Sequence, residues 1–216
     1  MKHFSNAINE KVRGEVTPDY YRQEYALLRI KEHIPNVKLI FIIRNPIERA
    51  FSQYELYYGT EYKEMTFEQT YKKHKELIEW GKYGKHLEFI YKQFPKDNVL
   101  VLDYDLLKSK PDAFLKQIFH FLNVDENYIP ENLQKPYNKV IYPRLQRFLK
   151  NIGLQVVINY IKKSQLGDWI RYEQKEKKSK ISHNDFNYLS ECFNMDVKKL
   201  GMMLETDYTH WLHYRK

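Results

Sequence analysis

Lys38-Leu-Ile-Phe-Ile-Ile-Arg-Asn-Pro-Ile-Glu-Arg-Ala-Phe-Ser-Gln-Tyr54 is the stretch on which the reading of the whole chain turns. Leu39–Ile43 is a short apolar run rich in β-branched residues. It predicts a buried strand in a parallel sheet. The run stops at Arg44, and Asn45-Pro46 follows. Asn favours the N-cap and Pro the first helical position, so the pair predicts a helix start. Glu48, three residues after Asn45, completes a pattern like a capping box. Ile47, Ala50, Phe51, Tyr54 and Tyr58 then recur at helical spacing, as one apolar stripe facing a core.

Arg44 and Ser52 are the two residues this packing pattern leaves unused. Arg44 stands at the carboxyl end of a strand, where ligands sit in open α/β sheets. Ser52 lies two turns into the helix, off the stripe. A guanidinium fork, a hydroxyl and a helix N-terminus together suit a phosphate. On spacing alone the plainer reading is that Arg44 pairs with a nearby carboxylate and Ser52 is a small helix residue.

Ile43-Arg-Asn-Pro-Ile-Glu-Arg-Ala-Phe-Ser-Gln-Tyr54 resembles the 3′-phosphate-binding motif of sulfotransferases that use 3′-phosphoadenosine 5′-phosphosulfate (PAPS). Three more segments resemble the family in the same order. They are Gly14-Glu-Val-Thr-Pro-Asp-Tyr-Tyr21, Gly81-Lys-Tyr-Gly-Lys-His-Leu87 and Phe94-Pro-Lys-Asp-Asn-Val-Leu-Val-Leu-Asp-Tyr-Asp-Leu-Leu107. Trp211, after a long helical pattern, also fits. The likeness spans nearly the whole chain and is nearest to the carbohydrate-type and bacterial branches. It implies an α/β fold of the P-loop-NTPase type, three layers α/β/α around a short parallel sheet, with a helix-rich C-terminal half. It also implies one sulfotransferase-like domain over residues 1–216, with PAPS as co-substrate and no metal. Arg44 and Ser52 would then hold the nucleotide's 3′-phosphate.

Two family pieces have no counterpart here. One is the phosphosulfate loop of the type Lys-x-Gly-Thr-Thr; before Arg44 the only glycine is Gly14. The other is the Lys-Glu segment that usually supplies the catalytic carboxylate. The resemblance therefore implies a fold that is N-terminally incomplete, through truncation, a late start or degeneration, with impaired activity. No catalytic base can be named. Glu15 is a candidate, although its family counterpart is more often structural. Val16 stands where some branches carry a helpful Lys. Tyr83 is either a wall of the acceptor cleft or a packing residue, and Tyr104 either approaches the nucleotide or packs.

Composition bounds the rest. The chain has 216 residues, 43% hydrophobic, which suffices for a real core. The net charge is +8, spread over scattered lysines, which reads as surface charge more than as a nucleic-acid face. Cys192 is the single cysteine, so no internal disulfide forms, and it reads as a small core residue. His210 and His213 lie one turn apart without an evident third ligand, and no metal site is expected. No secretory signal and no transmembrane stretch is visible, and a cytoplasmic location is expected.

Further along, helices are predicted over Tyr25–Ile34, Thr66–Ile78, His86–Phe94, Pro111–Leu122, Tyr142–Lys150 and Asn184–Leu204. A second strand is predicted over Asn98–Leu102, parallel to the first. Phe114, Leu115, Ile118, Phe119 and Leu122 form a stripe that reads as core. Ile152–Ile161 is apolar, and Gly167 marks a break. The basic run Glu173–Lys180 falls near the family's mobile loop over the nucleotide, although a charge run is usually solvated surface. The resemblance implies in-line sulfuryl transfer to a hydroxyl or amine, with a carbohydrate as the expected acceptor. A non-catalytic nucleotide-binding or interaction remnant is the alternative. A phosphotransferase would want a Gly-rich loop ending in Lys-Ser or Lys-Thr, which is absent. An unpaired sheet edge would favour a homodimer.

Overall fold

The two strands lie side by side in parallel, Leu39 opposite Val99 and Ile43 opposite Asp103. The computed structural model describes residues 9–58, 61–62, 64–130 and 180–214. Tyr142–Lys150, Ile152–Ile161, Gly167 and most of the basic run Glu173–Lys180 lie outside the described residues. A 3₁₀ turn, Tyr20–Arg22, leads into α1 (Glu24–His33) and β1 (Leu39–Ile43). The crossover carries α2 (Pro46–Tyr57), α3 (Phe67–Lys73), α4 (Glu76–Glu79) and α5 (Tyr83–Gln93). After β2 (Val99–Asp103) come α6 (Tyr104–Ser109) and α7 (Pro111–Leu122). The long α8 (His183–Leu204) and a closing 3₁₀ turn, Thr209–Leu212, complete the described part.

Helices cover both sheet faces, unequally. Phe41, Ile43 and Val99 turn to the main core, with Ile47 and Ala50 of α2, Leu87 and Ile90 of α5, and Phe193, Val197 and Leu200 of α8. On the other face Leu102 and Phe114 of α7 are buried outside that cluster. Among the described residues α7 packs mainly on β2. Ile40 and Ile42, on the same face, are 38% and 46% exposed, so β1 is less buried than its apolar run predicts. The stripe of α7 is likewise less deeply placed than its pattern implies. Phe114 is buried, whereas Leu115, Ile118, Phe119 and Leu122 are half-buried.

Two departures from the predicted helices have local causes. Thr66–Ile78 is not one helix. Thr66 and Gln69 form a capping box that starts α3, and the chain leaves helical geometry at His74 before α4 begins. The break turns Leu77 into the core and its carbonyl toward α2. The helix expected from His86 begins earlier, at Tyr83, because α8 caps it: Gly84 and Lys85 N–H groups both donate to the Asp196 carboxylate at 2.8 Å. That contact also explains two glycines. A Cβ on Gly84 would lie 2.5 Å from the Asp196 carbonyl oxygen, and one on Gly81 2.8 Å from the Phe193 ring.

Candidate functional site

Parallel pairing brings the carboxyl ends of both strands to one edge, and the polar residues gather there. Because Ile43 lies opposite Asp103, the next residues, Arg44 and Tyr104, are neighbours. The Arg44 guanidinium carbon sits 5.3 Å from the centroid of the Tyr104 ring, within cation–π range. Tyr104 thus contacts the arginine, which sequence reading left open. Arg44 keeps 29% of its side chain accessible, while its Nε is buried and has no acceptor among the described residues.

Asn45 fixes where α2 starts. Its Oδ1 accepts from the N–H groups of Ile47 at 2.9 Å and Glu48 at 3.2 Å, while its Nδ2 donates to the Trp211 carbonyl at 3.2 Å. The cap is as expected, but the box is not. The Glu48 carboxylate turns to Arg44, 3.5 Å away, and does not reach back to the cap. Both partners are part-exposed, so the pair contributes little to stability. Ser52 lies one turn beyond Glu48 on the same face of α2. It is exposed, and its hydroxyl has no hydrogen-bond partner among the described residues. Arg44, Glu48 and Ser52 thus follow one another along a single open side of the helix. Of the stripe, Ile47 and Ala50 are buried, Phe51 and Tyr54 half-buried, and Tyr58 lies past the helix end.

Sequence reading missed Arg49. It points inward from the first turns of α2, donating to the Leu77 carbonyl and, at 2.8 Å, to Gln53 Oε1. Gln53 passes the chain on to the Tyr62 hydroxyl at 3.0 Å. Burial, then the nearby Arg44, hold the Arg49 guanidinium below its ordinary pKa, against the pull of the Tyr83 and Tyr21 phenols. Its Nε is buried without an acceptor among the described residues. The available signal was its place: a cation in the first turns of a helix opposes the macrodipole and so needs a tertiary reason.

Tyr21 and Arg22 close the near side. The Tyr21 hydroxyl donates to the Trp80 carbonyl at 2.8 Å, and its ring packs on Phe41 and His86. The Arg22 guanidinium carbon lies 3.6 Å from the centroid of the Trp80 ring, and the side chain pairs with Asp19. Tyr83 is 4% exposed against Phe41 and Tyr21, and its phenol is pushed up by burial; in this structure it packs. Glu15 is exposed and accepts from the Thr17 hydroxyl at 3.1 Å, shaping its own loop, while Val16 is 94% exposed. On the far side, burial raises the Asp103 carboxyl pKa, and Trp211 is buried beside Tyr208, whose phenol is pushed up to about 12 by burial. Cys192 is half-buried against the core. Among the described residues no group of three His, Cys, Asp or Glu could hold a metal ion. No helix among them is long and apolar enough to cross a membrane.

A family profile described as a sulfotransferase domain matches residues 22–200, so the chain belongs to the sulfotransferase family. Human heparan sulfate glucosamine 3-O-sulfotransferase 3B1 is 29% identical over 126 residues, 54% of this chain and 32% of its own length. Human heparan sulfate glucosamine 3-O-sulfotransferase 5 is 30% identical over 137 residues, 57% of this chain and 39% of its own length. The matches thus span about a third of the length of these curated relatives. A solved sulfotransferase from Alicyclobacillus acidocaldarius superposes with a TM-score of 0.71 over 98% of this chain and 72% of its own, at 17% identity. That likeness shows a shared fold, mixed α/β of the P-loop type.

Proposed function

We propose that this chain binds PAPS through Arg44 and Ser52 and serves sulfuryl transfer to a hydroxyl or amine of a carbohydrate. The observation that carries the proposal is the open side of α2. A guanidinium that keeps 29% of its side chain accessible and pairs only at 3.5 Å with the part-exposed Glu48 stands at the carboxyl end of β1, two turns before an exposed hydroxyl on the same side. Family membership and the heparan sulfate relatives support the donor and the carbohydrate class.

In this reading Arg44 forks the 3′-phosphate and Ser52 donates to it, displacing the weak Glu48 contact. Tyr104 holds the guanidinium plane from beneath. The bound nucleotide presents sulfur to an acceptor hydroxyl or amine, which attacks in line as its proton leaves to a base. Oriented cations nearby stabilise charge on the sulfuryl oxygens and the leaving phosphate. No base is assigned; Glu15 is committed to its own loop.

Isothermal titration with adenosine 3′,5′-bisphosphate tests the reading. Micromolar binding is expected, with a loss of roughly 10- to 150-fold in Arg44→Ala and a smaller loss in Ser52→Ala. Binding that ignores both substitutions overturns it. Binding without transfer to any sugar acceptor would favour a nucleotide-binding remnant.

A further inference from the structure

α8 has two unlike faces. Phe186, Leu189, Phe193, Val197 and Leu200 are buried in the core. The side turned outward shows Tyr188, Glu191, Met195, Lys198 and Met202, all exposed, at alternating steps of three and four residues that set them in one row along the helix. Three of the five are large and apolar: Tyr188 is 39% exposed, Met195 77% and Met202 76%. Single exposed apolar residues are ordinary on a protein surface, but a row that repeats at every seventh residue is the pattern of a helix seam. Tyr188 is already held in place, its ring stacked on that of Tyr71 with centroids 5.2 Å apart, and Tyr71 is tied to Asp185 at 2.8 Å. Exposed faces of α3 and α5 carry ion pairs one turn apart, Glu68 with Lys72 and Glu88 with Lys92. The row on α8 is different. Glu191 and Lys198 stand two turns apart, about 10 Å along the axis, too far to pair with each other. Neither has a counter-charge among the described residues, whereas the adjacent Lys199, turned toward α5, pairs with Glu88.

We propose that this row is a self-association surface, on which a second copy of the chain lays its own α8 antiparallel about a two-fold axis at Met195. Set against its own reverse, the row brings Met195 beside Met195, and twice over brings Tyr188 beside Met202 and Glu191 beside Lys198. The spacing allows it. Tyr188 and Met202 lie about 10.5 Å to either side of Met195, and Glu191 and Lys198 about 6 and 4.5 Å. A parallel copy would set Glu191 against Glu191 and Lys198 against Lys198, so charge selects the antiparallel one. An unrelated partner would account for the apolar row but not for charges that complement their own reverse. Methionine suits the axis, because its unbranched side chain adapts to a copy of itself. One helix face and its borders bury less than the roughly 1,200 Å² at which stable interfaces begin, so the association is weak and concentration-dependent. The surface uses neither Arg44 nor Ser52.

Sedimentation equilibrium of the full chain tests it, from about 1 μM to about 1 mM protein. Salt of about 0.15 M screens the net charge of +8. Wild type is expected to exchange between monomer and dimer with a dissociation constant of about 10–500 μM. Met195→Lys sets two cations on the axis and is expected to weaken the dimer at least roughly tenfold. Glu191→Lys and Lys198→Glu should each weaken it several-fold, and the double exchange should restore it to within about twofold of wild type, since the pair is only reversed. Tyr25→Lys, which removes a 72% exposed ring from α1, should leave it unchanged. All these positions are exposed, so melting temperatures are expected within about 2 °C of wild type. The surface is overturned if wild type stays monomeric throughout, if Met195→Lys dimerises like wild type, or if Tyr25→Lys weakens the dimer as much. Failure of the double exchange to restore what each single exchange loses overturns the antiparallel pairing, and the proposal with it.

Discussion

Asn45 is expected to couple the last described turn of the chain to the start of α2, and two substitutions separate its two roles. Asn45→Ala removes both. The cap on the Ile47 and Glu48 N–H groups is worth about 1 kcal/mol. The bond from Nδ2 to the Trp211 carbonyl is worth about another 1 kcal/mol. The loss is therefore about 2 kcal/mol. Asn45→Asp keeps the cap, since a carboxylate accepts from the same two donors, and adds a favourable interaction with the helix dipole of about 0.3–1 kcal/mol. It also sets an oxygen against the Trp211 carbonyl oxygen, where the native donor lies at 3.2 Å. The amide cannot be turned over to avoid this conflict in the native protein, because Nδ2 would then face two N–H donors. Asp is therefore expected to lie between Ala and wild type. Urea unfolding measures it: with a slope of about 2 kcal/mol/M, Ala lowers the midpoint by about 1 M and Asp by about half that. The Asp variant also carries a negative charge one residue from Arg44. Its affinity for adenosine 3′,5′-bisphosphate should fall further than its stability alone explains. An Asp variant as stable as wild type would refute the coupling. An Ala variant within about 0.5 kcal/mol of wild type would refute the cap as well.

Gly84→Ala drives a methyl against the Asp196 carbonyl oxygen and should cost about 1–3 kcal/mol, seen as a lowered melting temperature, while Gly14→Ala, with nothing within 4 Å, should stay within about 0.5 kcal/mol. Burial holds the His86 pKa below its ordinary 6.5, so the folded protein favours the neutral ring. Its contribution to stability is present above about pH 6.5 and lost as pH falls through the depressed folded value. His86→Gln should flatten the fall in urea midpoint between pH 7 and pH 5, and an unchanged fall would remove His86 from that account. Tyr104→Leu takes away the ring under Arg44 and should weaken nucleotide binding a few-fold with little change in unfolding midpoint, whereas equal losses in both would make the ring merely structural.

Local chemistry settled much in advance. The β-branched run Leu39–Ile43 could hardly be anything but a strand, and Asn45-Pro46 marks the start of α2 because one residue caps and the other is preset for the first turn. The place of Arg44 at the strand's carboxyl end follows from the same short stretch. Tertiary contacts decided what short-range pattern cannot carry. α5 begins at Tyr83 because a carboxylate 112 residues away caps Gly84, and the two glycines are needed because α8 packs against them. Ile40 and Ile42 stay part-exposed because, among the described residues, α7 packs mainly on β2. Arg49 could not be separated from the surface arginines by type, since what distinguishes it is desolvation between α2 and α4. Burial is a property of the assembled chain, and it is what distinguishes Arg49 from the arginines on the surface.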